Sequence, residues 1–243
     1  NFTIYPKAYS QYGFSVDTIP NVLNNTSLAI KQVYFPEAQA KKNIFPLTKN
    51  ALFDHFRNQG YQIFVYQPSM INFCPPEQPV DKCYEYPRNS ARAALNADLS
   101  LWEKSWVVAS LFLTSNPAVA ELSKLFSENG ILKTWTGPLS TFPATLREIK
   151  ADMLNTKKNT LFFAHLLIPH APYIYDAQCG TRPVAQWENN YIFKGFRRTN
   201  TAESYARKFN LYYDQITCLD HSLQGLFDAL KSSQLYDGAT IVV

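Results

Sequence analysis

No CxxC pair occurs among the four cysteines of this 243-residue chain, which removes zinc ribbons and thioredoxin-type motifs from consideration. No apolar run reaches the length of a membrane span. The longest, WVVASLFL and LFFAHLLI, have the size of core helices or strands. Basic residues are scattered, the densest groups being Lys41-Lys42, Lys157-Lys158 and Arg197-Arg198. No stripe alternates them with aromatics along one element, so nucleic acid is not an expected partner. Repeats and low-complexity stretches are absent, and charged residues make up only 17%. With 46% apolar residues the chain can bury a sizeable core, which excludes wholesale disorder. It has no initiating Met and no signal peptide, and it opens on a strand-like FTIY and stops in ATIVV. It is therefore expected to be cut from something longer.

What is abundant is aromatic: 15% of residues, mostly Tyr and Phe, enough that many must be buried or line a cleft. The net charge of +4 suits an anionic substrate or an anionic surface. Cys74 and Cys83 bracket a Pro-rich loop, CPPEQPVDKC. Closing such a loop of about ten residues stabilises by about 2.7 kcal/mol on chain-entropy arithmetic. Pairing Cys179 with Cys218 closes about 40 residues and gives roughly 4 kcal/mol. Three pairings are possible, this one being favoured, against the alternative of four buried free thiols. An even count with two loop cysteines points to an oxidising compartment.

Strands and helices alternate. Residues 2–10 read as a strand running into a loop, followed by a short helix near Thr18–Asn24. Thr48 reads as the N-cap of a helix carrying Leu52, Phe53 and Phe56 on one face, with Gly60 at its C′ position. Tyr61–Tyr66 is an aromatic and β-branched strand. Helices are expected over Ala91–Leu113, Ala118–Asn129 and Ala144–Asn155, then a strand covered on both faces over Thr160–Ile168. A last helix, Ala202–Leu230, repeats Tyr205, Phe209, Tyr212, Ile216, Leu219, Leu223, Leu226 and Leu230 as one buried stripe. Asp237-Gly238 turns into a final strand. The expected fold is α/β: three layers, a largely parallel sheet with helices on both faces. It is expected as one domain over residues 1–243, without a linker and truncated at both ends.

Ligands of open α/β sheets bind beyond the carboxyl ends of strands. The loop AYSQYGFSVDTIPNVLNN sets Ser10, Ser15 and Thr18 near the free N–H groups of a helix start, a cradle for an oxyanion or phosphoryl oxygen. The alternative is a plain cap, Asp17 or Thr18, on a helix with Pro20 in its first turn. LFFAHLLIPHAPYIYD delivers His170 into a loop stiffened by Pro169 and Pro172, as suits an imidazole that must meet a charged substrate. Site and scaffold both remain open for it. His165 reads as a hydrogen-bonded core histidine, and His55 and His221 as surface. Asp214 and Asp220 are six apart, on opposite sides of a helix, which argues against paired acid and base work.

Four segments in order resemble the sulfatase-like family of the alkaline phosphatase superfamily: FTIYPKAYSQYGFSVDTIPNVLNN, LFDHFRNQGYQIFVY, PHAPY and YYDQITCLDHSLQGLFDALKSSQLYDGATIVV. The resemblance spans most of the chain. It implies a metal-dependent hydrolase or transferase acting on phosphate or sulfate esters. A hydroxyl nucleophile forms a covalent intermediate that water or an acceptor alcohol resolves. Ser15 falls at the nucleophile position, Thr18 being the other candidate. His170 falls at the histidine that contacts the ester oxygens or leaving group, with Thr18 and Tyr173 as substrate contacts. Ser15-Val16-Asp17-Thr18-Ile19 departs from the Cys-x-Pro-x-Arg of true sulfatases, and the Gly-Lys-x-His motif is missing, which points to the phospho-transferring or unspecialised sulfatase-like branches rather than to true formylglycine sulfatases. The implied cofactor is a divalent metal ion (Zn, Mn, Mg or Ca) touching Ser15. Its other ligands, a leading Asp and an Asp-His-Gly motif, are expected outside the chain, so this stretch by itself is expected to be inactive. A lipid head group or glycan ester is the implied substrate. The implied location is extracytoplasmic (periplasm or cell surface), with membrane anchoring through segments outside this chain. The rival reading is a non-catalytic relative that binds a glycan or protein partner through WENNYIFKGF at 187–196. A solute-binding α/β protein is a third.

Overall fold

The computed structural model describes residues 15–26, 45–68, 71–78, 80–86, 100–105, 108–109, 137–156, 159–171, 173–183, 186 and 201–243. The expected strand at 2–10, the helix at 118–129, Pro172 and the aromatic loop at 187–196 lie outside them. Of the helix expected over 91–113, residues 100–105 and 108–109 are described: 101–105 and 108–109 are helical, whereas Ser100 is not, its hydroxyl accepting from the Glu103 N–H at 3.3 Å at the helix start. The chain divides into two compact units, Asn1–Glu85 with Thr156–His165 and Tyr86–Asn155 with Leu166–Val243.

In the first unit, helix α1 spans Ser15–Asn24, strand β1 Phe45–Pro46, helix α2 Ala51–Asn58 and strand β2 Gln62–Pro68. Strands β3 (Ile71–Asn72) and β4 (Lys82–Tyr86) follow. The N-cap of α2 is Asn50 rather than Thr48. Asn50 keeps extended dihedrals, and its side chain accepts from the Phe53 N–H at 3.1 Å, which satisfies one of the donors that a helix start leaves open. Helix α2 closes as expected on Gly60, whose φ of +81° a side chain would resist. The Gly60 N–H donates to Arg57 O and the Tyr61 N–H to Phe56 O. The Tyr61 ring then stacks edge-on against Phe56 at 5.1 Å, completing a Schellman turn. Asn24 ties the end of α1 to this helix: its Nδ2 donates to Lys49 O and its Oδ1 accepts from the Ala51 N–H, both at 2.9 Å.

Strand β2 lies between β4 and β5 (Thr160–Ala164), and it pairs with β5 in parallel register from Gln62↔Thr160 to Tyr66↔Ala164. Strands β1 and β3 form a second parallel pair. Parallel pairing with intervening helices is the expected α/β architecture. Leu23, Leu47, Phe53, Ile63, Val65, Ile71 and Phe73 form one core, with Leu161 and Phe163 of β5 packed on it. Beyond Phe73 the chain is pinned by the Cys74–Cys83 disulfide, as favoured from the sequence. Strand β5 stops at Ala164 instead of reaching Ile168. The His165 N–H still reaches Tyr66 O at 2.9 Å, but Leu166 and Ile168 join the core of the second unit.

In the second unit, helix α3 spans Gly137–Asn155 and helix α4 Ala202–Ser232, and the two pack together. Helix α3 starts earlier than expected and runs through Pro143. An internal proline costs about 3 kcal/mol, but Phe142, Thr145 and Ile149 bury one face across it. Helix α4 is capped by Thr201, whose hydroxyl accepts from the Ser204 N–H at 3.1 Å. The stripe expected to be buried along α4 is corrected at its start: Tyr205 is 68% exposed, Phe209 57% and Tyr212 37%, while Leu230 is buried as expected. Leu211, Gln215 and Cys218, outside the expected stripe, are buried. Tyr205 and Leu230, the two ends of the row, lie within about 20° of one line on a 3.6-residue helix, so its period is helical. The line that meets the core is set by what packs on it. Ala239–Val243 forms no strand: Val242 and Val243 stand exposed, with no partner strand among the described residues. Among the described residues no helix is long and apolar enough to cross a membrane.

Candidate active site

Ser15 is the first residue of α1 and is exposed. The helix therefore already runs at Asp17 and Thr18, and neither is its N-cap. The Ser15 hydroxyl lies at the end of the helix that carries open N–H groups and the positive end of the peptide dipoles. Thr18 follows one turn later and is half-buried. Both belong to the first unit, and His170 and Tyr173 to the second.

Leaving β5, the chain makes a tight turn in which the His170 N–H donates to Leu167 O at 2.9 Å, after a cis Ile168–Pro169 peptide. The imidazole is exposed, with Nδ1 at 2.9 Å from Ala171 O. A carbonyl only accepts, so Nδ1 carries the proton in this contact. Tyr173 sets its ring edge-on to Tyr212 of α4 at 5.8 Å.

The segment carrying these residues has almost no secondary structure of its own beyond one antiparallel bridge, Tyr175↔Thr181. Its order is borrowed from α4. Gln215, wholly buried, accepts at Oε1 from the N–H groups of Ile174 (2.9 Å) and Tyr175 (3.4 Å) and donates from Nε2 to His170 O at 3.1 Å. One residue earlier, Asp214 pairs with Arg182, whose Nε also reaches Tyr175 O. One turn later, Cys218 is bridged to Cys179, the second favoured pairing. A further turn on, His221 Nδ1 meets Ala177 O at 3.1 Å. Between these anchors the Asp176 carboxylate accepts from the Gln178 and Gly180 N–H groups. A Cβ at Gly180 would come within 2.8 Å of that carboxylate. Ile168, Ile174, Tyr175, Phe142 and Cys218 form the core beneath.

Asp214 thus has an ion-pairing role at this loop, and Asp220 is exposed. His55 and His221 are on the surface as expected, although His221 also holds the loop. His165 is half-buried, with its ring edge-on to Phe73 at 5.9 Å. Gln215 was not singled out by sequence reasoning. The available signal was an amide placed in register with the apolar pair Leu211 and Cys218.

Burial pushes the Tyr175 phenol up from the ordinary tyrosine range. Its folded-state pKa lies above the unfolded value, so the associated stability is complete below about pH 10 and is lost as pH rises beyond it. Over that window the slope is up to about 1.4 kcal/mol per pH unit. Melting temperatures of Tyr175→Phe and the parent between pH 9 and pH 12 test this. The parent curve should fall more steeply above about pH 10, and parallel curves would refute it.

All four cysteines are in disulfides, so no thiolate is available to a metal. Among the described residues no three His, Cys, Asp or Glu side chains converge as an ion site would need. The described side chains by themselves do not fit the divalent ion that the resemblance implies.

A family model described as Sulfatase matches residues 1–243. No curated protein and no solved structure matches the chain.

Proposed function

Because the chain belongs to the sulfatase family, matched over residues 1–243, we propose that it is one sulfatase-like domain of an enzyme that hydrolyses or transfers phosphate or sulfate esters. Ser15 is the nucleophile. Its oxygen attacks the phosphorus or sulfur, the ester bond to the leaving alcohol breaks, and the covalent intermediate is resolved by water or by an acceptor alcohol. His170 contacts the ester oxygens or the leaving oxygen, with Thr18 and Tyr173 as further contacts. The family match over the whole chain carries this reading. Support comes from the Ser15 hydroxyl at an exposed helix start and from an exposed imidazole on a fixed loop. Family members typically bind a divalent metal, and of the described residues only Ser15 is assigned to touch it. The two disulfides support an extracytoplasmic location. A lipid head group or a glycan is the alcohol we assign to the ester.

The test is turnover of p-nitrophenyl phosphate and p-nitrophenyl sulfate by the full-length protein carrying Ser15→Ala or Thr18→Ala. Ser15→Ala should lower kcat by about 100-fold or more, the order of a lost catalytic group. Thr18→Ala should lower it by less. Unchanged turnover in Ser15→Ala would remove Ser15 from the mechanism, and a larger loss in Thr18→Ala would move the nucleophile there.

A further inference from the structure

We infer that Gln215 is the positioning residue for His170, acting through the backbone of the turn rather than on the substrate. The inference rests on the reading of His170 given above. Gln215 is wholly buried, and its single amide reaches both sides of the histidine turn. Nε2 holds the carbonyl of His170 itself, while Oε1 holds the N–H groups of Ile174 and Tyr175, four and five residues later. One planar group therefore sets the distance between the two limbs of the turn. The ring is fixed less directly, through Nδ1 on Ala171 O, so its aim follows the backbone that Gln215 holds. A group that must meet a reacting oxygen loses about 100-fold in rate for a misplacement near 1 Å.

Two substitutions separate positioning from support. Gln215→Leu removes all three bonds. Gln215→Glu keeps the shape and both acceptor bonds, but donates to His170 O only while its carboxyl is protonated. The ionisable residues tied to it are His170 and Tyr175, through their backbone, and its chain neighbour Asp214 with its partner Arg182. The full-length protein is assayed with p-nitrophenyl phosphate across pH, with melting recorded at each pH and the His170 Cε1–H resonance followed by NMR. The expected result is a folded Gln215→Leu protein whose kcat falls roughly 10- to 100-fold while KM moves less, with a displaced His170 resonance. Gln215→Glu should match the parent at the acid end and fall towards the Leu variant as pH rises. A Gln215→Glu to parent ratio that is flat with pH, or a folded Gln215→Leu with parental kcat, overturns the inference. Should the Leu variant not fold, the Glu variant decides alone. His170→Asn separates the two failures. If it retains full turnover, the role of His170 itself is wrong. If it loses turnover while the Gln215 variants keep theirs, only the positioning role is wrong.

Discussion

A double substitution, Cys179→Ser with Cys218→Ser, is expected to lower the melting temperature by about 8–16 °C. The bridge spans 39 residues of sequence, and closing a loop of that size removes roughly 4 kcal/mol of unfolded-state entropy. A domain of this length shifts by about 2–4 °C per kcal/mol. Cys218 is wholly buried in the core with Phe142, Ile168, Ile174 and Tyr175, so the hydroxyl left behind adds to the loss rather than offsetting it. The Cys74→Ser, Cys83→Ser pair closes only nine residues of separation and should cost less, about 2.7 kcal/mol. Calorimetry of both double variants checks the order. Equal shifts, or a larger one for the short loop, would show that loop size does not govern these bridges.

The second large effect is expected from Phe73→Ala in the first unit, at about 3–5 kcal/mol. Phe73 is fully buried. Its ring meets Phe163 at 4.9 Å and His165 at 5.9 Å, so truncation removes two edge-on aromatic contacts as well as transferred area. The backbone N–H of residue 73 keeps its bond to Gln67 Oε1 at 2.6 Å, so the chain cannot readily collapse into the space left. Urea titration should show a lower midpoint with an unchanged slope. A loss below about 1 kcal/mol would mean that neighbours refill the cavity.

How far the sequence reached depends on the range of each signal. Local devices were legible. Gly60 ended α2 where a left-handed residue was needed, Ala202 began α4, and the spacing around CPPEQPVDKC suggested its own bridge. Long-range competition was not legible. Thr48 and Asn50 are both good caps, and the choice fell to Asn50, next to the bonds that Asn24 makes with Lys49 and Ala51. The apolar run from Thr160 looked like one strand because its hydrophobicity is continuous, yet Leu166 and Ile168 serve a different core from Leu161 and Phe163. The row of Tyr205, Phe209 and Tyr212 has the right period for burial, but period alone does not say which line of a helix is covered. In the candidate site, the proline beside His170 marked the turn. The group that secures it lies 45 residues away, and the register of Gln215 with Leu211 and Cys218 marks burial without naming the partner.

One consequence follows from the way helix α4 presents Asp214, Gln215, Cys218 and His221. The four are set by a rise of 1.5 Å per residue, and the stretch from His170 to Arg182 is matched to that template at each of them. Residues may be exchanged within this stretch where the anchors survive, but gaining or losing a single one would throw every later anchor out of step. Variation in length is therefore confined to the chain on either side, and the histidine turn inherits the fixed spacing of a helix it is not part of.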